Sequence, residues 1–371
     1  MIVKTSVLLI GLLVPLLLFE GLLRLTTSET FGSPPQSCGE ATYHMFGLIF
    51  DPVFGWRNAP GSWNERCDSS EGARTEDVYV NQLGFRGPEI ELRKKPGVLR
   101  IVCLGDSGTF GVQATHSEAG SPKRVWRVIE NYPDELARRL ELAGFDRVEV
   151  INAGVIGYGS SQILRLLALR IMDLEPDIVT ARFAANDTVP SWAPQRRTVE
   201  PANPVARAIL YAFHDWRLVR LSLRAYQSVP GVHPKPDSVL WTSPDQFRRN
   251  VERIADVTRK HDVPLLLIDY PLGNLAWLEN PAKSNPLMVA ITNRLPERLA
   301  ILREVAAANS IPMLTTQPSL NGSEGQFYDK SDLVHPNPRG AQRIGRLLFA
   351  KLRALGWLGS PVAGVPGGES P

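Results

Sequence analysis

The sequence predicts an α/β fold, a parallel sheet with helices on both faces. Three observations predict it. From residue 98 onward, short apolar and β-branched runs alternate with segments of helical periodicity, the order that builds a parallel sheet buried on both faces. The first run, 98–104, is stopped by Gly105-Asp106-Ser107, a tight turn at a strand end. Polar residues able to do chemistry recur just past the ends of these runs, where such sheets bind ligands.

The elements follow in order. Val98–Leu104 is the first strand, and Tyr132–Leu142 a helix with Arg138 and Arg139 on its wet side. Val148–Asn152 is the second strand. Ser160–Met172 is a helix whose Ile163, Leu164, Leu167 and Ile171 share one face. Asp177–Phe183 is the third strand. Beyond an insertion at 188–242 come a helix at Pro244–His261, a strand at Pro264–Asp269, a helix at Pro296–Asn309 and a strand at Ile311–Leu314. Pro338–Leu355 closes the domain as a helix, and 359–371 is a Pro/Gly-rich tail expected to be disordered. Inside the insertion, Val205–Tyr226 reads as helical, with Arg207, Arg217, Arg220 and Arg224 interleaved with Tyr211, Phe213 and Trp216. Two readings stand: a lid that meets an acidic or carbohydrate substrate or anionic lipid, or a solvated face with ordinary aromatic packing.

The amino terminus carries a membrane signal. Thr5–Phe19 has no charge and is Leu-rich, and the span through Leu25 holds Glu20 and Arg24 near its outer end, one turn apart. That is the length a bilayer needs, and no small-residue cleavage site follows. Residues 1–27 are therefore expected to be an uncleaved signal anchor, with Lys4 inside and the rest of the chain outside the cytoplasm; secretion after cleavage is the alternative. Residues 28–97, rich in Gly, Pro, Ser and Asn with scattered aromatics, form an expected accessory layer of hairpins. Cys103 falls within the first strand, as a buried small hydrophobe. Cys38 and Cys67 flank the accessory segment and are expected to form a disulfide if exported, or else are two unrelated thiols. The net charge of +3 in 371 residues is too small to point to nucleic acid, and no internal repeat is visible.

At the strand ends stand the parts of an acyl-transfer site. Ser107 follows the first strand, Gly154 the second and Asn186-Asp187 the third, while Asp332 and His335 precede the last helix. A serine hydroxyl needs an adjacent base, which His335 supplies and Asp332 orients. The developing oxyanion needs donors, here the N–H groups of Ser107 and Gly154 and the Asn186 amide. Gly-Asp-Ser alone is also ordinary turn composition. Gly-Asp-Ser-Gly also surrounds the nucleophile of chymotrypsin-like proteases, but their His and Asp precede the Ser, whereas here both follow. An α/β-hydrolase elbow needs Gly at position 109, which is Thr. The six His show no ligand spacing, so no metal is expected; His116, near the site in sequence, reads as a loop histidine.

In these residues the chain resembles the SGNH hydrolases, the GDSL esterases and lipases, over about 98–356 with the insertion excluded. Gly105-Asp106-Ser107 matches the first block of that family, Gly154 the second, Asn186 the third and Asp332-x-x-His335 the last, while Ala184 occupies the glycine position of the third block. The resemblance implies a three-layer α/β/α sandwich with a flavodoxin-like, five-stranded parallel sheet spanning 98–358. It implies a serine esterase without cofactor, with Ser107, His335 and Asp332 as triad and Ser107, Gly154 and Asn186 as oxyanion hole. The expected substrate is an O-acyl ester, acetyl first, on a carbohydrate or lipid outside the cytoplasm. An O-acyltransferase acting on a cell-envelope polysaccharide is the alternative, and a non-catalytic binding protein of the same fold a second.

Overall fold

The computed structural model describes residues 2–26, 47–63, 78–116, 124–128, 130–189, 203–227, 242–270, 286–320, 326–329 and 332–360. Helix α1 (Ile2–Thr26) precedes a hairpin of β1 (Leu48–Asp51) and β2 (Gly55–Asn58). Strand β3 (Gly61–Trp63) pairs antiparallel with β4 (Val78–Val80). Next come β5 (Leu99–Gly105), the short helix α2 (Ser107–Phe110), and a hairpin of β6 (Val112–His116) and β7 (Arg124–Val128). Helix α3 (Tyr132–Leu142), β8 (Val148–Gly154), α4 (Ser160–Leu166) and β9 (Ile178–Arg182) follow. The insertion holds α5 (Pro204–Ala212) and α6 (Arg217–Gln227). Then come α7 (Pro244–Lys260), β10 (Leu265–Ile268), α8 (Pro286–Ala308), β11 (Met313–Leu314) and α9 (Gln317–Leu320). A hairpin of β12 (Tyr328–Asp329) and β13 (Asp332–Pro336) leads into α10 (Pro338–Ala354).

Five strands form one parallel sheet in the order β11-β10-β9-β5-β8. Counted along the chain this is the flavodoxin-like order, whose switch point lies between its first and third strands, here β5 and β9. Successive side chains of a strand point to opposite faces, and β5 shows why the sheet is covered twice. Ile101 and Cys103 join the core formed with Leu136 and Leu140 of α3 and Ile344 and Leu348 of α10. Val102 and Leu104 join the core on the other face, with Ile163 of α4, Val251 of α7 and Leu299 of α8. Each such fully buried aliphatic side chain contributes roughly 1.5–3 kcal/mol. Burial pushes the Cys103 thiol up to about 12, so it behaves as the small hydrophobe its strand position predicts. The α/β/α expectation holds.

Several local expectations change. The helix begun at Ser160 is α-helical only to Leu166; Leu167–Ile171 is a π turn and Met172–Leu174 a 3-10 turn. Helix α8 starts at Pro286 and carries Pro296 inside it. Its buried Ile291, Leu295 and Leu299 continue one apolar stripe across that proline, so packing overrides the stop signal. The single helix expected at Val205–Tyr226 breaks into α5 and α6. Phe213 and Trp216 meet edge-to-face between them, with ring centroids 4.8 Å apart. The new helix start at α6 is capped from far away, because the Glu20 carboxylate accepts the Arg217 and Leu218 N–H groups at 2.8 and 3.0 Å. Glu20 also pairs with Arg24 at 2.7 Å. Among the described residues no helix is long and apolar enough to cross a membrane. Cys38, Cys67 and the tail 361–371 lie outside the described residues.

Candidate active site

The nucleophile turn is built by its own sequence. Asp106 is the N-cap of α2, its carboxylate accepting the Gly108 N–H at 3.0 Å, the usual service of an N-cap Asp. Gly111, at φ 97°, ends the helix one turn later. This leaves Ser107 at the first helical position, directly past the carboxyl end of β5. Its Oγ lies 2.7 Å from His335 Nε2, across 228 positions of sequence. His335 sits in β13, the strand that leads directly into α10 as expected, and both residues are only 6% exposed. Asp332 opens the same strand, its backbone paired with Asp329; its side chain lies outside what the structure describes. His116 ends β6 and so is not a loop residue.

The third block lies across the switch point. Asn186 falls in a 3-10 turn, Ala185–Thr188, just past β9. Its Nδ2 donates to the Tyr158 carbonyl at 3.1 Å and approaches Asp106 Oδ2 at 3.5 Å, which places it beside the nucleophile turn. Ala184 keeps a backbone suited to glycine, φ 148° and ψ −29°, a strain that costs a non-glycine roughly 1–3 kcal/mol. Asp187 fastens this turn to the start of α4, accepting the Ser160 hydroxyl at 2.6 Å and the Ser160 N–H at 2.9 Å. Burial pushes its carboxyl up to about 6 despite these bonds.

Gly154 has a different task from the one expected. Its N–H donates to Asn152 Oδ1 at 3.0 Å, so it is not presented to a ligand. A Cβ there would stand 2.2 Å from the Phe110 nitrogen: the position is glycine so that α2 can lie on β8. Asn152 clasps the same helix, Nδ2 donating to the Thr109 carbonyl at 2.9 Å. Gly157, which the sequence reading passed over, lies next to the Asn186 acceptor Tyr158 and has φ 79°. Among the described residues neither the Gly157 N–H nor the Ser107 N–H finds an acceptor. The repeat Gly154-x-x-Gly157 was the available signal; the positive φ that separates the two roles was not.

The accessory strands brace this wall. Trp56 Nε1 donates to the Ile156 carbonyl at 2.8 Å, and the Tyr158 hydroxyl returns a bond to the Trp56 carbonyl at 2.5 Å. Arg86 Nη1 donates to the Phe110 carbonyl at 2.6 Å, at the far end of α2. Asn58 Nδ2 donates to the Gly154 carbonyl at 3.1 Å.

Beneath the nucleophile turn lies a buried polar group. Asp106 accepts a short hydrogen bond from the Tyr270 hydroxyl. Burial pushes the Asp106 carboxyl up, opposed by the charge of Arg182 and by the Tyr270 and Gly108 donors. The Arg182 Cζ lies 3.8 Å from the Tyr270 ring centroid.

A serine hydroxyl at hydrogen-bond distance from an imidazole, with its own backbone N–H unbonded among the described residues, is equipped for proton transfer to the imidazole and attack on a carbonyl. The family that the sequence matches agrees with this chemistry. The profile of the GDSL-like Lipase/Acylhydrolase family matches residues 103–343. No curated protein matches the chain. Among solved structures, a lipase/acylhydrolase from Enterococcus faecalis is 19% identical, with a TM-score of 0.42 over 70% of this chain and 97% of that one. A catalytic mutant of an acetylxylan esterase from Geobacillus stearothermophilus is 14% identical, with a TM-score of 0.42 over 71% and 97%. A putative acylhydrolase from Bacteroides fragilis is 12% identical, with a TM-score of 0.40 over 71% and 90%. The chain belongs to the GDSL-like lipase/acylhydrolase family, the SGNH hydrolases, and is an ester-bond hydrolase.

Proposed function

We propose that the chain is a serine esterase, held on the outer side of the cytoplasmic membrane, that removes a small O-acyl group from a carbohydrate or lipid. The contact between Ser107 Oγ and His335 Nε2, 2.7 Å long, carries this reading. Ser107 Oγ attacks the acyl carbonyl as His335 takes its proton. The tetrahedral oxyanion is met by the N–H groups of Ser107 and Gly157 and by the Asn186 amide. The 3.5 Å approach of that amide to Asp106 is at the limit of a hydrogen bond, so this N–H is available to a developing charge. His335 then gives its proton to the departing alkoxide oxygen, and water, activated by the same imidazole, releases the acyl group from Ser107. Asp332 is assigned to orient His335. The near-complete burial of Ser107 and His335 suits a small acyl group such as acetyl.

Location rests on the amino terminus. The uncharged, Leu-rich run Thr5–Phe19, with no small-residue cleavage site after it, supports an anchor. The test combines two measurements. Hydrolysis of a small aryl acetate by the wild type, Ser107→Ala and His335→Ala, with circular dichroism as folding control, should show activity at background in both variants. A folded Ser107→Ala protein with wild-type activity ends the serine reading. Amino-terminal sequencing of the mature protein should find the anchor attached, and a start beyond about residue 27 refutes it.

A further inference from the structure

We propose that Arg182 and Tyr270 are positioning residues for ester hydrolysis: together they hold the Asp106 carboxylate, and through it the turn that presents Ser107. The proposal rests on the reading of Ser107 as nucleophile. Arg182 is the last residue of β9 and fully buried, and none of its Nε, Nη1 and Nη2 has a hydrogen-bond partner among the described residues. Burying a cation without hydrogen bonds is expensive, and strand β9 needs no charge there: Ile178, Val179 and Ala181 are buried apolar neighbours. What the guanidinium faces explains the expense. It stacks on the Tyr270 ring, a contact that compensates a desolvated cation. A Cβ at Gly108 would stand 2.0 Å from Arg182 Nη1 and 3.4 Å from Asp106 Oδ1. Cation and carboxylate therefore meet across the missing side chain of the residue that follows the nucleophile.

The groups around this pair come from every packed element. Asp106 feels Arg182, Tyr270 and His335. Arg182 feels Tyr270, Tyr328, Asp106 and Tyr132, and Asp269 lies within reach of its charge. Burial pulls the guanidinium down, yet the surrounding phenols and Asp106 leave it raised, so it stays a cation. Asp106 serves two neighbours as an acceptor, the Gly108 N–H and the Tyr270 hydroxyl, with the Asn186 amide 3.5 Å away. An ionised carboxylate accepts at both oxygens, whereas a protonated one must spend an oxygen as donor. Without the Arg182 charge, burial drives Asp106 to take up a proton, and the turn loses the acceptor that orders it.

The test uses Arg182→Met, Arg182→Lys and Tyr270→Phe in the full chain. Each is assayed for kcat and KM on a small aryl acetate from about pH 5 to 9, with circular dichroism and titration of competent Ser107 by an aryl fluorophosphonate. Arg182→Met should lower kcat by about 10–100-fold, the scale set by misplacing a reacting group by an ångström. KM should stay within about three-fold, because the substrate is not touched. The acid limb of its kcat profile should move to higher pH as Asp106 gains a proton. Arg182→Lys, which keeps the charge, should recover part of the loss and the original limb. Tyr270→Phe, which keeps the ring under the guanidinium, should lose less. Wild-type kcat and pH profile in Arg182→Met overturn the proposal. So does a loss that merely equals the fall in titratable sites with the profile unchanged, which marks a structural role alone. Should Arg182→Met fail to fold, Tyr270→Phe decides: folded with wild-type kcat and profile, it overturns the proposal. Failure of the fluorophosphonate to label Ser107 in the wild type sinks the nucleophile reading itself, and so separates the two.

Discussion

Replacing Gly154 by alanine tests how the fold aims the nucleophile. The added Cβ would stand 2.2 Å from the Phe110 nitrogen, 2.7 Å from its Cα and 2.8 Å from the Thr109 carbonyl carbon. Carbon contacts settle at roughly 3.5–4 Å, so α2 must lift from β8 by about 1 Å. All three obstructing atoms are backbone, and no rotamer change relieves them. Overpacking of this kind costs about 1–3 kcal/mol, equivalent to about 2–4 °C of Tm per kcal/mol in a domain of this size class. Ser107 moves with α2, and a displacement of about 1 Å at a reacting atom costs on the order of 10²-fold in rate. The variant keeps its own N–H, and that N–H is already held by Asn152, so the loss comes from packing and not from a missing oxyanion donor. The assay is kcat on a small aryl acetate beside a thermal melt. A Gly154→Ala protein with wild-type Tm and kcat refutes the claim that close contact of β8 and α2 sets Ser107.

Asn186→Ala should lower kcat by on the order of 10²–10³-fold with the fold intact; an unchanged kcat removes the amide from the oxyanion hole. Trp56→Phe leaves the Ile156 carbonyl without its donor and should cost about 1–3 kcal/mol and lower kcat, since the Gly157 loop loses its brace; equal kcat would confine the accessory strands to stability. Asp187 titrates at about 6 when folded, above its ordinary value of 3.8. The folded chain therefore binds more protons than the unfolded one between those values, and its stability falls as pH rises from about 4 to about 6, by roughly 3 kcal/mol. Asp187→Asn should lose that slope relative to wild type in melts across the range; identical pH dependence in the two proteins would show that Asp187 is not its source.

The layer order was legible in the linear chain because it is written in local periodicity. Apolar runs such as Leu99–Gly105 and Ile178–Arg182 are buried on both faces, and stripes such as Phe247, Val251 and Ile254 on α7 recur at helical spacing. Asp106 and Ser107 could be placed because Gly-Asp-Ser stops an apolar run, a local turn signal, although the capped helix α2 that follows was not read there. Tertiary structure alone decided the rest. That His335 reaches Ser107 depends on β13 returning beside α2, across 228 positions. Which glycine packs and which keeps its N–H unbonded depends on φ and on the approach of Phe110. The break between α5 and α6 depends on Glu20 from the far end of the chain. Arg182 reads as one polar residue closing a strand until the fold sets Tyr270 and Asp106 against it. Propensity and periodicity act over a few residues, whereas close approach, burial and electrostatic partnership are properties of three-dimensional neighbours and are assigned only when the sheet has closed.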